Sequence, residues 1–165
     1  MSLSNANTLD LESLRVYLTA RIAPARALNL TLEAIDPVTI SAPLQPNLND
    51  KGTAFAGSLL SAAALAGWAL VTRWCMARSL NADVALHSST AQFLEPASAD
   101  FRAIAQEPPA DQWEKLGRML ARSGRGRAEV SIDVKCHDTI VMSFSGAYAV
   151  ITTPSWGGGK PQPGR

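Results

Sequence analysis

A polar loop followed by a long uncharged segment contains the residues whose types and spacing could support chemistry. Asn49 and Asp50 end the loop at residues 47–50, and residues 52–72 then carry no charge. Gly57 stands where an apolar helix would begin, and N–H groups at a helix N-terminus can hold a developing negative charge. The neighbouring amide and carboxylate could orient water or a carbonyl. The segment therefore predicts a site where water attacks a polarised carbonyl.

Each residue of this predicted site also has an ordinary structural interpretation. Gly57 could serve only close packing, and Asn49 could close its own loop in an Asx-turn. Asp50 is the nearest carboxylate and therefore the expected general base, but it could also be a solvated loop charge. Thr53 and Ser58 could line the site or cap the helix, and capping is the stronger interpretation for Ser58.

Histidines and arginines supply further candidates. His87 lies near the start of a predicted strand and could face the site, although lone histidines in strands are usually structural, and His137 is expected to be exposed at a hairpin end. Arg125 and Arg127 belong to a group of four arginines that could bind phosphates or an acidic protein face, or form a solvated edge. No Cys/His spacing suggests a metal site, and no Gly-x-Ser-x-Gly elbow is present.

Composition favours one soluble, cytoplasmic domain. The 165 residues suffice for a single core, and a net charge of +1 gives no reason to expect nucleic acid or a membrane surface as a partner. Residues 52–72 are long enough to span a bilayer, but they are mostly Ala, Gly and Ser, which favours a helix buried in protein. Cys75 and Cys136 are interpreted as reduced core thiols, with a disulfide as the alternative. We predict a domain over residues 1–153 and a Gly/Pro-rich tail over residues 154–165.

Hydrophobic periodicity predicts the elements that must position the site. A first helix would be capped by Asn7 or Thr8 and stopped by Pro24. Period-two alternation predicts six strands, at residues 28–34, 38–42, 85–94, 100–106, 128–136 and 140–151. A long helix is expected over residues 57–78, and a short helix would begin at a capping pair of Asp111 and Glu114. Six antiparallel strands can curl around the long helix, which predicts the α+β hotdog fold.

The segment that enters the long helix, residues 47–59 with Leu-Ala-Gly-Trp at residues 65–68, resembles the YiiD C-terminal thioesterase family of the hotdog superfamily. The resemblance extends over about residues 9–151, with weaker agreement at residues 93–97, 126–128 and 144–146. The more distant phenylacetyl-CoA-type thioesterases carry His-Gly-Gly where this chain has Phe55-Ala56-Gly57, and often an acidic residue where it has Ala64. The resemblance therefore implies the pocket more directly than the reaction.

The resemblance implies an acyl-thioester hydrolase acting on acyl-CoA or acyl carrier protein. Coenzyme A or phosphopantetheine would then belong to the substrate, and no separate cofactor is expected. For this reaction the candidate catalytic residues are Asn49, Asp50 and Gly57, and the candidate substrate-binding residues are Thr53, Phe55, Ala56, Ser58, His87, Arg125 and Arg127. An open sheet edge and the resemblance together predict a homodimer or a dimer of dimers. A non-catalytic acyl-thioester binding module is the alternative, and a hydratase is disfavoured because no His/Asp or His/Glu dyad is evident.

Overall fold

The computed structural model describes residues 11–153, so the expected caps Asn7 and Thr8 and the tail at residues 154–165 lie outside the described residues. The helices are α1 (Leu11–Arg21), α2 (Ala23–Ala27), α3 (Ala56–Met76) and α4 (Ala110–Ser123). The strands are β1 (Thr31–Ile35), β2 (Val38–Ala42), β3 (Ala82–Phe93), β4 (Phe101–Ala105), β5 (Arg125–Cys136) and β6 (Thr139–Thr152).

One antiparallel sheet wraps around α3. The strand order is β1-β2-β4-β5-β6-β3, which leaves β3 at one edge. Strands β2 to β6 make the main contacts with α3, and Arg73 of α3 also donates to Ile35 O at the end of β1. Every second residue of β5 from Ala128 to Cys136 is buried, as the alternation predicted. The sheet-around-helix arrangement expected from the sequence is therefore confirmed.

Small residues on α3 let the sheet approach its backbone closely. The buried positions of α3 include Ala62, Ala63, Ala66, Gly67 and Ala69. By length and composition α3 could cross a membrane, yet 56% of its most apolar window is buried inside the protein. The sheet supplies the apolar surroundings that such a helix requires.

The first helix ends differently from the prediction. Pro24 occupies the first turn of α2 rather than simply ending α1, a position proline favours because its missing N–H is not needed there. Turn hydrogen bonds continue as far as the Leu30 N–H, which donates to Ala25 O at 2.8 Å, so β1 begins three residues later than predicted. The period-two alternation predicted for this strand is observed, because Leu30 and Leu32 are buried while Glu33 is exposed.

Two predicted helix caps are wrong. Pro109 is the N-cap of α4 and Phe55 is the N-cap of α3, and neither helix has a side-chain cap. Because α4 starts at Ala110, Asp111 lies inside the first turn, where it cannot cap. Ser58 is likewise the third residue of α3 and is buried. Gly124 ends α4, and its φ of +67° is the left-handed conformation that favours glycine.

Candidate functional site

A cavity of about 380 Å³ lies at the N-terminus of α3. Its walls come from the loop before α3, the first turn of α3, the end of β3 and the segment that follows β3. The Ala54 N–H donates to Ala97 O at 2.8 Å, which joins the two loops across the base of the site. The structure therefore brings the sequence-predicted loop and helix N-terminus together around one space.

Buried Asn47 anchors the loop to the rest of the domain. Its Nδ2 donates to Leu28 O at 2.9 Å and to Pro43 O at 2.7 Å, and its main-chain oxygen accepts from the Phe55 N–H at 2.7 Å. The sequence marked this residue only as part of a polar loop, since both carbonyl partners of its side chain become neighbours only after folding. Asn47 thus positions the helix entrance.

Asn49 lies in the cavity wall, but its amide is used within its own loop. Oδ1 accepts from the N–H groups of Lys51 at 2.8 Å and Thr53 at 3.1 Å. Nδ2 donates to Thr53 Oγ1 at 2.9 Å and to Ala54 O at 3.4 Å. The structure therefore shows the Asx-turn that was the structural alternative for this residue. The role of the Asn49 amide in orienting water or a carbonyl stays a prediction.

The first two N–H groups of α3 are available to a ligand. The N–H groups of Ser58 and Leu59 donate to Phe55 O at 2.9 and 3.3 Å. Among residues 11–153, no acceptor is found for the N–H groups of Ala56 and Gly57, as expected for the start of a helix without a side-chain cap. Ala56 lines the cavity, and the helix dipole adds positive potential at this end.

Phe55 partly covers this helix entrance. Its side chain is 56% exposed, and a Cβ atom added at Gly57 would lie 3.0 Å from its Cδ1 atom. Gly57 therefore permits the ring to lie against the first turn of the helix.

The two nearby carboxylates differ in position. The Asp50 side chain is 81% exposed, pairs with Lys51 Nζ at 3.1 Å, and does not line the cavity. Glu95 does line it and is the one carboxylate among the lining residues. Glu95 lies just beyond the strand predicted at residues 85–94, and no sequence pattern marked it as a site residue. Its proximity to α3 arises from the pairing of Ala54 with Ala97, which no local pattern reveals.

The remaining predicted residues are spread over the chain. Thr53 and Ala56 line the cavity, whereas buried Ser58 does not. His87 is exposed on β3 at a bulge, where the pairing with β6 shifts between Leu86 and Ser88. Among residues 11–153, no group of three His, Cys, Asp or Glu side chains could hold a metal ion.

The arginines are exposed and distant from the cavity within one chain. Arg127 pairs with Ala149 of β6, whereas Phe93 in the cavity wall pairs with Met142. Seven residues of extended strand separate these two β6 positions, which is about 23 Å. Arg125 pairs with Ile151, two residues further along β6 from Ala149, and is therefore more distant still. Their contact with substrate phosphates stays a prediction and requires a second subunit.

Comparison with known proteins agrees with this architecture. A family model described as "Putative thioesterase (yiiD_Cterm)" matches residues 11–152. The chain belongs to this YiiD C-terminal family. The resemblance inferred from residues 47–59 and 65–68 is therefore confirmed.

Solved structures similar to this family member share its fold. A protein of unknown function from Chlorobaculum tepidum has a TM-score of 0.80 and 23% identity, over 86% of this chain and 94% of that chain. A structure described as a putative thioesterase from Shewanella oneidensis has a TM-score of 0.76 and 23% identity, over 86% and 96%. A probable thioesterase from Pseudomonas aeruginosa has a TM-score of 0.75 and 21% identity, over 90% and 100%. The hotdog fold predicted from the sequence is thereby confirmed.

Proposed function

We propose that this YiiD C-terminal family member hydrolyses acyl thioesters of coenzyme A or of acyl carrier protein in the cavity at the N-terminus of α3. One observation carries the proposal: the entrance of an apolar helix presents two N–H groups without protein acceptors beside a cavity that contains one carboxylate. Such donors stabilise the negative charge that develops on a carbonyl oxygen during acyl transfer. A carboxylate in the same wall can serve as the base for water.

The proposed reaction is a general-base hydrolysis. The thioester oxygen accepts hydrogen bonds from the N–H groups of Ala56 and Gly57, while Glu95 takes a proton from a water molecule as the water oxygen bonds to the carbonyl carbon. The tetrahedral intermediate collapses by breaking the C–S bond. Protonated Glu95 then returns its proton to the departing thiolate, which leaves as a thiol beside the free acid.

The lining favours an acyl group over a polar substrate. Leu59, Phe93 and Leu94 form much of the wall, and the side chains of Phe93 and Leu94 are both 52% exposed at its rim. An acyl chain would cover this apolar surface and gain its transfer free energy. A volume of about 380 Å³ is at the small end for ligand cavities, which fits the thioester and a short acyl group better than a long chain.

We further propose that two subunits pair through β3. This edge strand is twelve residues long, has Asp83 as its one charged side chain, and exposes most of its residues. An unblocked edge of this length invites a partner strand. Antiparallel pairing of two copies would bring the far end of the partner's sheet toward this subunit's cavity. The partner's Arg125 and Arg127 would then be the candidates for binding the phosphates of the substrate.

Thiol release from a panel of acyl-CoA and acyl-pantetheine thioesters tests the proposed function. We expect turnover that saturates with substrate and favours short acyl groups. Saturable binding with no thiol release would instead support the binding-module alternative. The structural observation in favour of that alternative is Ala64, whose main-chain oxygen accepts from Tyr148 Oη at 3.0 Å and whose side chain brings no carboxylate from the helix.

A further inference from the structure

A second cavity, of about 610 Å³, lies toward the C-terminal end of α3. Its walls come from the end of α3, from the turn that follows α3, from α4 and from Thr152 at the end of β6. Trp74, which lines this cavity, follows Ala56 by eighteen residues, so about 27 Å of helix separates it from the first cavity. The second cavity is therefore distinct from the proposed thioester site.

Two stacked indoles form a fixed aromatic wall of this second cavity. The rings of Trp74 and Trp113 have centroids 5.1 Å apart and planes at 13°. Trp113 Nε1 donates to Glu107 Oε1 at 2.8 Å, and the other oxygen of Glu107 pairs with Arg73 at 2.7 Å. Both tryptophans are buried. The wall is thus held in one orientation before any ligand arrives, which lowers the entropic cost of binding.

An exposed arginine without a carboxylate partner lies beside the aromatic wall. The Arg78 guanidinium is 4.2 Å from the centroid of the Trp74 ring, and its Nη1 donates to Trp74 O at 3.3 Å. Among residues 11–153, no carboxylate lies within ion-pair distance of Arg78, because Glu114, which also lines the cavity, pairs with Arg118 instead. The cavity therefore joins an apolar surface to an arginine that forms no ion pair with the described residues.

We propose that this second cavity binds a small carboxylic acid with an apolar body. The body would lie against Trp113 and Leu120, and its carboxylate would accept hydrogen bonds from the Arg78 guanidinium. The volume lies within the range of small-molecule sites. The buried indole N–H of Trp74, in the same wall, donates to no acceptor in the described part of the chain.

Calorimetry with 3-phenylpropionate and hexanoate, in the absence of any thioester, tests the charge requirement. We expect saturable binding of both acids below roughly 10 mM, and at least about tenfold weaker binding of the uncharged 3-phenylpropanamide. Arg78→Met should weaken acid binding by a similar factor and leave the amide unchanged. Arg122→Met removes the same charge from the exposed end of α4 and should change neither. Equal affinity of acid and amide, or equal effects of the two variants, would overturn the proposal.

Occupancy of the cavity can be tested separately from charge. A Cβ atom added at Gly117 meets nothing within 4 Å, so Gly117→Leu should fill the cavity without unfolding α4. We expect this variant to lose acid binding while its melting temperature stays at or above that of the wild type. Retained binding would place the acid elsewhere and refute the proposal.

Fluorine NMR of protein labelled with 5-fluorotryptophan, in a Trp156→Phe background, locates the bound acid directly. The resonances of Trp74 and Trp113 should shift on addition of acid, while that of Trp68, which stacks on Tyr17 away from this cavity, should not. A shift of Trp68 alone would contradict the assignment. None of these measurements needs thioester turnover, so the proposal stands or fails independently of hydrolysis.

Discussion

Gly67→Ala tests the close contact between α3 and the sheet that forms the core of this fold. A Cβ atom at this position would collide with the Tyr148 hydroxyl and lie 2.5 Å from its Cζ atom. Tyr148 is fully buried, and its hydroxyl donates to Ala64 O at 3.0 Å. Burial also raises the pKa of Tyr148, which favours the protonated hydroxyl that donates this hydrogen bond. The ring has no open space into which it could move without losing this hydrogen bond.

The expected cost follows from these contacts. A buried donor left without its acceptor costs about 1–3 kcal/mol, and overpacking a core costs about 1–3 kcal/mol. The better helix propensity of alanine returns about 1 kcal/mol. We therefore expect Gly67→Ala to lower the free energy of unfolding by roughly 3 kcal/mol, or about 10 °C in melting temperature for a domain of this size.

Two variants serve as controls in the same thermal and urea unfolding assays. Gly117→Ala adds the same methyl group to a helix where nothing lies within 4 Å, so it should stabilise the protein by up to about 1 kcal/mol. Tyr148→Phe removes the colliding hydroxyl and should recover part of the loss in the Gly67→Ala background, with a coupling energy of about 1 kcal/mol or more. Additive effects, or similar stability changes from both glycine substitutions, would refute this reasoning.

Three further outcomes are expected. Asn47→Ala leaves two buried carbonyls without its side-chain donors and should lower the free energy of unfolding by about 1–3 kcal/mol in urea titrations, together with thioester turnover. Burial raises the pKa of Cys75 to about 11, and the Arg78 guanidinium lowers it by a smaller amount. Because the thiol ionises more readily in the unfolded chain, the free energy of unfolding should fall between about pH 9 and 11 by at most about 3 kcal/mol. Cys75→Ala should remove that part of the decline. Leu86→Lys on the β3 edge should convert a dimer to a monomer in light scattering, whereas Ile151→Lys, on β6 and similarly exposed, should not; a dimer that survives the first change would place the interface elsewhere.

Regular alternation and helix periodicity predicted the fold well because they report burial directly. The alternation along β5 and the apolar length of α3 were among the patterns that predicted a sheet around a buried helix. The cap predictions were wrong because Pro109 and Phe55 are the N-cap residues and form no side-chain cap hydrogen bond. A search for capping residue types cannot anticipate such helix starts. Tertiary packing, rather than capping, sets those boundaries.

The candidate site was predicted only in part because its walls come from distant segments. The loop at residues 47–50 and the entrance of α3 are adjacent in sequence, so their proximity could be predicted. Glu95 reaches the cavity through the long-range pairing of Ala54 with Ala97, and Asp50 turns outward to Lys51. Asp50 was the expected base because it is close to Gly57 in sequence, whereas the fold places Glu95 in the cavity wall and Asp50 outside it.

Hydrolysis of acyl-CoA by Glu95→Gln and Asp50→Asn, measured side by side as thiol release, tests the central proposal most directly. Both substitutions replace an exposed carboxylate by its amide, so melting curves should match the wild type. Loss of a general base lowers turnover by roughly 10²- to 10⁴-fold, and we expect this loss for Glu95→Gln with little change for Asp50→Asn. Full activity of Glu95→Gln together with an inactive Asp50→Asn would contradict the proposal and assign the base to the loop carboxylate.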